Sequence, residues 1–475
     1  MATIPEAKLT IKDGALGLSP QNPDNTLAII GTSSSGTANV VGSYSDQQTV
    51  KDTFGSGPLV EAACHVLTVA GGPVVLVKAT SASAGAAGSV TKVGTGLSVL
   101  TTTGSAPLDA FQVQALIVQG GTNPAAGTAT FKYSLDGGRT YSAETAVPTS
   151  GAYAIPGAGV SLTWSAASLV AGDVYSFATT GPTYDNTGLA TAMDALLGDV
   201  TEWFAVWAVG VPTDSTAMSA FYATLDSKLA TAAASYRFAR GYVNAFDDTD
   251  ANIKTALQAL AVSRYVGVVA GFHELTSVVT LGQYKREAAY SYMARLASIG
   301  PEIDPGETED LGPLPFVVSL DRDERKTPNL DQYGATTLRT HLGLSGFYVA
   351  NGRLNAGPTS DFQFIQYGRV MDIAARAVRA AELRYLNKPF RVKSDGTVLE
   401  ADARAAEQIF TQALKEVTVS RGRATDASVT VDRTVNMLST QTLRVQFRLL
   451  PLAYAKFIEG ELAFTNVKTA AQLAA

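Results

Sequence analysis

The stretch Leu27-Ala28-Ile29-Ile30-Gly31-Thr32-Ser33-Ser34-Ser35-Gly36 constrains the fold more than any other part of the chain. A short apolar run without polar alternation suits a strand covered on both faces, and this one breaks at once into a turn of small residues. Next, Phe54-Gly55-Ser56-Gly57-Pro58-Leu59-Val60-Glu61-Ala62-Ala63 reads as a loop entering a helix. That helix leads to a second buried run, Gly71-Gly72-Pro73-Val74-Val75-Leu76-Val77-Lys78. Strand, helix, strand of this length predicts a parallel crossover. The pattern returns after Asp185, with a helix from Thr187 to about Leu197, a buried strand over 203–209, and a helix to Ala234 that Thr213 or Asp214 can cap. Asp250 is placed to cap a further helix from Ala251 to about Ser263, followed by a strand over 265–270. Such alternation means a doubly wound sheet. Proline-rich, acidic residues 299–328 read as an irregular connection, after which a helix over 336–342 and the stretch 346–353 close this part.

Between the two α/β portions the composition changes. From Ser81-Ala82-Ser83-Ala84-Gly85-Ala86-Ala87-Gly88 to about Pro182 the chain is rich in Thr, Ser, Ala, Gly and Val, with only three basic and four acidic residues over 84–180. Within it, 128–135 and 140–142 flank Asp136-Gly137-Gly138-Arg139, whose glycines supply the positive φ a tight hairpin needs. This predicts an all-β insertion.

A chain of 475 residues has ample core for several domains, and 16% charged residues is low for a surface wetted throughout, which points to burial against other subunits. Net charge is -6, giving no electrostatic case for nucleic acid. Residues 1–235 hold 8 Lys+Arg against 16 Asp+Glu (-8), and 236–475 hold 28 against 26 (+2). Head-to-tail attraction or drift in composition accounts equally for that asymmetry. Cys64, the single cysteine, falls on the apolar side of its helix and reads as a core residue. The N-terminus lacks the pattern of a signal peptide, and no run approaches 18 uncharged apolar residues, so neither membrane insertion nor export by a leader is expected.

Rival chemistries fail at identifiable atoms. Gly31 and Gly36 have the spacing of a phosphate loop, but Thr37 stands where the lysine is required. No Gly-x-Ser-x-Gly elbow occurs, and His65, His273 and His341 have no evident Ser or Asp companions. Asp247-Asp248-Thr249-Asp250 lacks the glycine and distal Glu of a calcium loop and reads as a helix cap. Asp109, Asp136, Glu144 and Asp173 are too scattered to name the carboxylate pair of a hydrolase with a sugar-binding insertion. No cofactor or metal is therefore expected.

The last quarter adds Asp361-Phe362-Gln363-Phe364-Ile365-Gln366-Tyr367-Gly368-Arg369 before an amphipathic helix. Its Val370, Ile373, Ala374, Ala377, Val378 and Ala381 form one face, with Arg376, Arg379 and Arg384 largely off it. Interleaved Asp372 and Glu382 make its polar side a solvated or subunit-facing surface. Asn387-Lys388-Pro389-Phe390, a helix from Ala401 to about Lys415, the alternating strand Thr442-Leu443-Arg444-Val445-Gln446-Phe447-Arg448-Leu449, Pro451 and the pair Phe457-Ile458 follow. Taken with the opening strand, the helix and the double Gly before the second strand, this ordered set resembles the tail sheath proteins of contractile bacteriophages over 27–80 and 185–465.

The resemblance implies an α/β core (a mixed sheet flanked by helices) at 27–83 and 184–360, an inserted surface β domain at 84–183, an α+β C-terminal domain at 361–456, and extended terminal arms at 1–26 and 457–475. It implies no enzyme. The expected function is structural: stacked hexameric rings in a helical assembly around a tail tube, contracting to drive the tube through a bacterial envelope. Its partners would be further copies of itself, the tail tube protein, and baseplate and tail terminator proteins. The chain would be assembled in the host cytoplasm and reside in the virion tail. The sheath of a related contractile injection or bacteriocin-like particle shares these mechanics. Strand exchange between subunits would use the arms, with Leu9 and Ile11 in a donated strand at 7–12, an edge offered by Leu443, Val445, Phe447 and Leu449, and Phe464 in a C-terminal segment around 461–467.

Overall fold

The structure is a computed structural model that describes residues 23–327 and 329–462. At its centre lies a seven-stranded sheet in the order Ala335–Thr336, Val266–Val269, Arg240–Asn244, Ala205–Ala208, Leu27–Gly31, Val74–Lys78, Val41–Tyr44. All pairings are parallel except that of the edge strand Val41–Tyr44, which runs antiparallel to Val74–Lys78. The protein is thus a mixed α/β structure. Leu27–Gly31 is buried throughout because the pleat sends successive residues into two different cores. Leu27 and Ile29 join Leu76 and Trp207 against the helices Pro58–Ala70 and Ala289–Ser298, while Ala28 and Ile30 join Val75, Val77 and Val206 against Asn186–Gly198, Ser215–Ala234 and Asp250–Ala259. Each fully buried Leu or Ile contributes roughly 1.5–3 kcal/mol.

The Pro58–Ala70 helix has proline at its first position and Gly71 in the left-handed conformation just past its end, the asymmetry that starts and stops a helix cleanly. The connection from Gly31 to Pro58 is richer than the sequence suggested. Besides the edge strand it contains the helix Gln47–Phe54, whose Thr49 N–H donates to Asp46 Oδ2 at 2.8 Å, and only Val50 and Phe54 of that helix reach the core. The helix expected over 336–342 is absent. Ala335–Thr336 instead extends the sheet, and Leu338–Arg339 pairs antiparallel with Tyr348–Val349, the sole strand within 346–353. The consecutive β-branched Thr336 and Thr337 favour extended backbone, and a sheet edge was available to pair with it. Asp214 rather than Thr213 caps its helix, and Thr249 rather than Asp250 caps the next, which stops at Ala259 because Leu260 is already extended. The connection over 299–328 contains the strand Val317–Leu320, which pairs with Phe272–Thr276 beside Gln283–Glu287.

Residues 84–183 contain two antiparallel sheets around a core of Phe131, Leu162, Trp164 and Tyr175. Asp136 organises the tight turn by accepting from the N–H groups of Arg139 and Thr140, with Gly137 and Gly138 at positive φ. The returning limb first meets its partner at Ser142, whose N–H donates to the Tyr133 carbonyl at 2.8 Å, and regular pairing follows at Thr145–Ala146. Beyond residue 361, the helices Ile365–Leu383 and Glu400–Val417 pack on an antiparallel hairpin, Asp426–Val431 with Val445–Leu450, around Ala374, Ala406, Phe410 and Val431.

Gly267 marks where the 350–355 segment crosses the sheet, since a Cβ there would lie 2.6 Å from the Arg353 carbonyl oxygen and 2.4 Å from Tyr242 Cε1. Gly267→Ala is expected to lower stability by about 1–3 kcal/mol, read as a shifted urea midpoint with unchanged slope.

Candidate functional site

The first described residues are fixed by a converging set of arginines. Arg369, in the first turns of Ile365–Leu383, donates from Nη2 to the Asp24 carbonyl at 2.7 Å. Arg423 Nη1 reaches Asp24 Oδ2 at 3.1 Å, and Arg376 Nη2 reaches Oδ1 at 3.4 Å. Asn25 donates to the carbonyls of Ala297 and Ile299. Two residues later the chain becomes the central strand, where the Phe204 N–H takes the Thr26 carbonyl.

Arg369 is 2% exposed, yet its charge is well placed. It donates to Leu296 O at 3.0 Å and Ile299 O at 3.3 Å, at the C-terminal end of Ala289–Ser298, where carbonyls lack helical partners and the helix dipole favours a cation. Its guanidinium lies 4.2 Å from the Phe204 ring centroid. Burial pulls its pKa down to about 10, with Asp24 and Glu302 among the groups opposing the shift. One turn along, Asp372 accepts from Arg240 Nε at 2.8 Å, and Gly368 lets that guanidinium lie against the helix. The sequence placed Asp372 and its neighbouring arginines on a solvated or subunit-facing side. Arg369 and Asp372 instead face the sheet, because Arg240 and the strand ends supply buried partners that helical periodicity does not reveal.

The hairpin is the second feature. Leu443, Val445, Phe447 and Leu449 are half-buried, with Phe447 edge-on to Phe410 at 5.7 Å, while Gln446, Arg448 and Leu450 are exposed. The hairpin is a two-stranded sheet, and no third strand pairs with it among the described residues. Past it, Tyr454 donates to the Glu302 carbonyl, Lys456 pairs with Asp304, and Phe457, Ile458 and Leu462 lie in the open. Leu9, Ile11 and Phe464, expected in donor strands, fall outside the described residues.

The structure gives His273 a companion that the sequence did not, since its Nε2 lies 2.8 Å from Ser291 Oγ. Both residues are sealed in the core, and burial holds His273 at about 3 and His65 at about 4, far from the working range of a general base. Among the described residues there is no group of three or more His, Cys, Asp or Glu able to hold a metal, and no helix is long and apolar enough to cross a membrane. At the carboxyl ends of Leu27–Gly31 and Ala205–Ala208 the strand order reverses, the place where doubly wound sheets bind ligands. Arg286, Glu61 and Asp109 crowd the space beside it. A glutamate inside the otherwise apolar Pro58–Ala70 was the one sequence signal for this cluster.

Over nearly its whole length the chain has the fold of subunits from contractile assemblies. It aligns with a structure of the anti-feeding prophage baseplate with TM-score 0.57 and 12% identity, covering 98% of this chain and 100% of that one. With the contracted helical sheath of the same particle the TM-score is 0.54 at 13% identity, again covering 98% and 100%. With the contracted sheath of an extracellular contractile injection system, PVC, it is 0.53 at 10% identity, covering 98% of each. No curated protein sequence matches. The chain belongs to the DUF2586 family, matching that family's N-terminal domain over residues 4–353 and its C-terminal domain over 361–469.

Arg369→Ala strips three backbone carbonyls of a charged donor and exposes none of them to water, so a loss of about 3–5 kcal/mol is expected in chemical denaturation. The two buried histidines set the acid limb of stability. Their folded pKa values are depressed, so their contribution is complete above the unfolded value of about 6.5 and declines by about 1.4 kcal/mol per pH unit for each histidine as the pH falls toward 4. His65→Leu should make the acid decline shallower by about 1.4 kcal/mol per pH unit in urea titrations run between neutral and acid pH.

Proposed function

We propose that this protein is the sheath subunit of a contractile particle, forming stacked hexameric rings around a tail tube and driving the tube through a bacterial envelope by contraction. The observation that carries the reading is the likeness of fold across 98% of the chain to two contracted sheaths. A division into core (27–83 and 184–360), inserted surface β domain (84–183) and C-terminal domain (361–456) accompanies it, supported by the separate sheets and cores of these segments. Partners are further copies of the chain, a tube protein, a baseplate and a tail terminator, and the place of residence is a virion tail assembled in the host cytoplasm. A sheath of an extracellular injection particle is the second reading, favoured because one of the similar structures is the sheath of an extracellular contractile injection system.

The intersubunit link has the chemistry of strand addition. The hairpin leaves its outer backbone edges without a strand among the described residues, and Leu443, Val445, Phe447 and Leu449 give one face of Val445–Leu450 an apolar footing. Leu9 and Ile11 in an arm at 7–12, and Phe464 in the C-terminal arm, have the alternation to pair there. Main-chain pairing of this kind survives rotation of the domains it joins, as sliding subunits require. Phe457 and Ile458, exposed at the start of the C-terminal arm, are available to a neighbour.

Negative-stain microscopy of the purified protein tests the reading: striated hollow tubes are expected, and lasting monomers refute it. Deleting residues 1–20 should abolish tubes while leaving thermal unfolding of the folded part unchanged. Normal sheaths from the truncated chain would remove the N-terminal arm from the link. Joining residue 83 to residue 184 should leave tubes intact if the insertion lies on the outside.

A further inference from the structure

Residues 84–183 meet the rest of the chain across a buried ionic cluster. Arg286, 4% exposed, donates from Nε to Glu61 Oε2 at 2.8 Å and from Nη2 to Asp109 Oδ2 at 2.9 Å, so one guanidinium nitrogen serves carboxylates from both sides of the boundary. Arg286 Nη1 also donates to the Ala110 carbonyl at 3.0 Å. Around this contact, Thr32 Oγ1 donates to the Pro182 carbonyl and Phe111 lies edge-on to Tyr284. The two connections of the segment run side by side, with the N–H groups of Ala82 and Ser83 both on the Thr183 carbonyl. The segment therefore hangs from a narrow paired stem and is held down by this buried cluster and, farther out, by Arg139, which pairs with Glu274 and donates to the Gln283 carbonyl.

That cluster does not balance electrically. Glu61, Asp109 and Glu287 are all at least nine-tenths buried and share the single cation Arg286. Glu287 is partly satisfied by the Gly210 N–H and Asn244. Glu61 Oε1, in contrast, is buried without a hydrogen-bond partner. Both carboxyl groups take the same Arg286 nitrogen, Glu61 through Oε2 and Asp109 through Oδ2, which sets the two acids side by side. We infer that docking of residues 84–183 on the α/β core is locked by one proton held between Asp109 and Glu61, so that the latch is tightest in acid and loosens as the pH rises.

The proton gives Glu61 Oε1 the donor it lacks and leaves Glu61 and Arg286 as a neutral ion pair. The groups facing Asp109 act in the same sense: Glu61 from the Pro58–Ala70 helix repels a second charge, Glu287 adds another negative group, and Tyr284 and Tyr290 contribute burial. Arg286 and the Ala110 N–H, which donates to Asp109 Oδ1 at 2.7 Å, oppose them, while His65 is neutral. Burial, the largest influence, pushes the Asp109 carboxyl well above the usual carboxylate range, while Arg286 holds Glu61 below its own. An undocked Asp109 in water would titrate at about 3.9. From there up to its docked pKa, each rise of one pH unit should raise the opening constant about tenfold, after which it levels.

The test is hydrogen exchange on the full chain, corrected for the intrinsic pH dependence of exchange, reading the peptides that carry Ala110 and Pro182. Wild type should show opening that rises with pH and levels above the docked pKa, Asp109→Asn should be flat and closed throughout, and Glu287→Gln should keep the wild-type slope. Infrared spectra at mildly alkaline pH should contain the carbonyl band of one protonated carboxyl that Asp109→Asn removes. A flat wild-type profile, an Asp109→Asn variant open at every pH, or no such band would each overturn the inference, the second by showing that Arg286 needs Asp109 as an anion. The sheath reading stands or falls separately, on tubes.

Discussion

The rest of the structure hangs on a buried guanidinium. Arg369 ties the root of the N-terminal segment, the carbonyl end of Ala289–Ser298 and the helix that begins the C-terminal part to one point. A cation there is tolerable because both terminal nitrogens find carbonyls, although Nε is left without a partner, and because a helix C-terminus already presents partial negative charge. Arg240 and Asp372 repeat the solution one turn along, between a sheet strand and the same helix. Buried ion pairs seldom add stability over a well-packed apolar contact, but they punish misregistry, since a shifted partner leaves a charge unpaired. The joint between sheet and C-terminal helix is thereby set in one geometry.

Much of this architecture was legible in the residues. Apolar runs at 27–31, 74–78, 205–208 and 266–269 have no other home than a sheet covered on both faces, and the glycine-flanked, proline-started helix at 58–70 could only cross over it. What escaped was decided by tertiary partners. Thr336 became a sheet edge because Val266–Val269 had a free side, and a single-chain reading cannot see a free side. Glu61, Asp109 and Arg286 are 225 and 177 residues from closure on one another in sequence, so no local spacing announces them. Asp372 read as solvated because charge on a helix face usually is, and only Arg240 makes it a core residue. The alternation at 443–449 was enough to place the hairpin strand Val445–Leu450, whereas Leu9, Ile11 and Phe464 fall outside the described residues.

The crevice at the strand carboxyl ends shows why an α/β sheet need not bind a ligand. In doubly wound enzymes that position is kept open and lined by helix N-termini and glycine turns. In this chain the Leu59 N–H is spent on the Thr32 carbonyl and the Glu61 N–H on the Gly57 carbonyl, so the helix start offers no free donors at those positions for an anion. A phosphate would meet Glu61 and Asp109 where it needs cations. The space is used for docking one part of the chain on another.

Position in the sheet also decides how a pull on the N-terminus would travel. Leu27–Gly31 lies between Val74–Lys78 and Ala205–Ala208, parallel to both, and is entered directly from Asp24. Tension along that strand acts on two ladders in shear, so their hydrogen bonds share it, where a peeled edge strand would lose them one by one. Before reaching the strand, the same tension meets Asp24 and its three arginines, two of them on the Ile365–Leu383 helix. A subunit tugged by a neighbour through its first residues would therefore turn as a unit about the joint of sheet and C-terminal helix, the behaviour that sliding without separation demands.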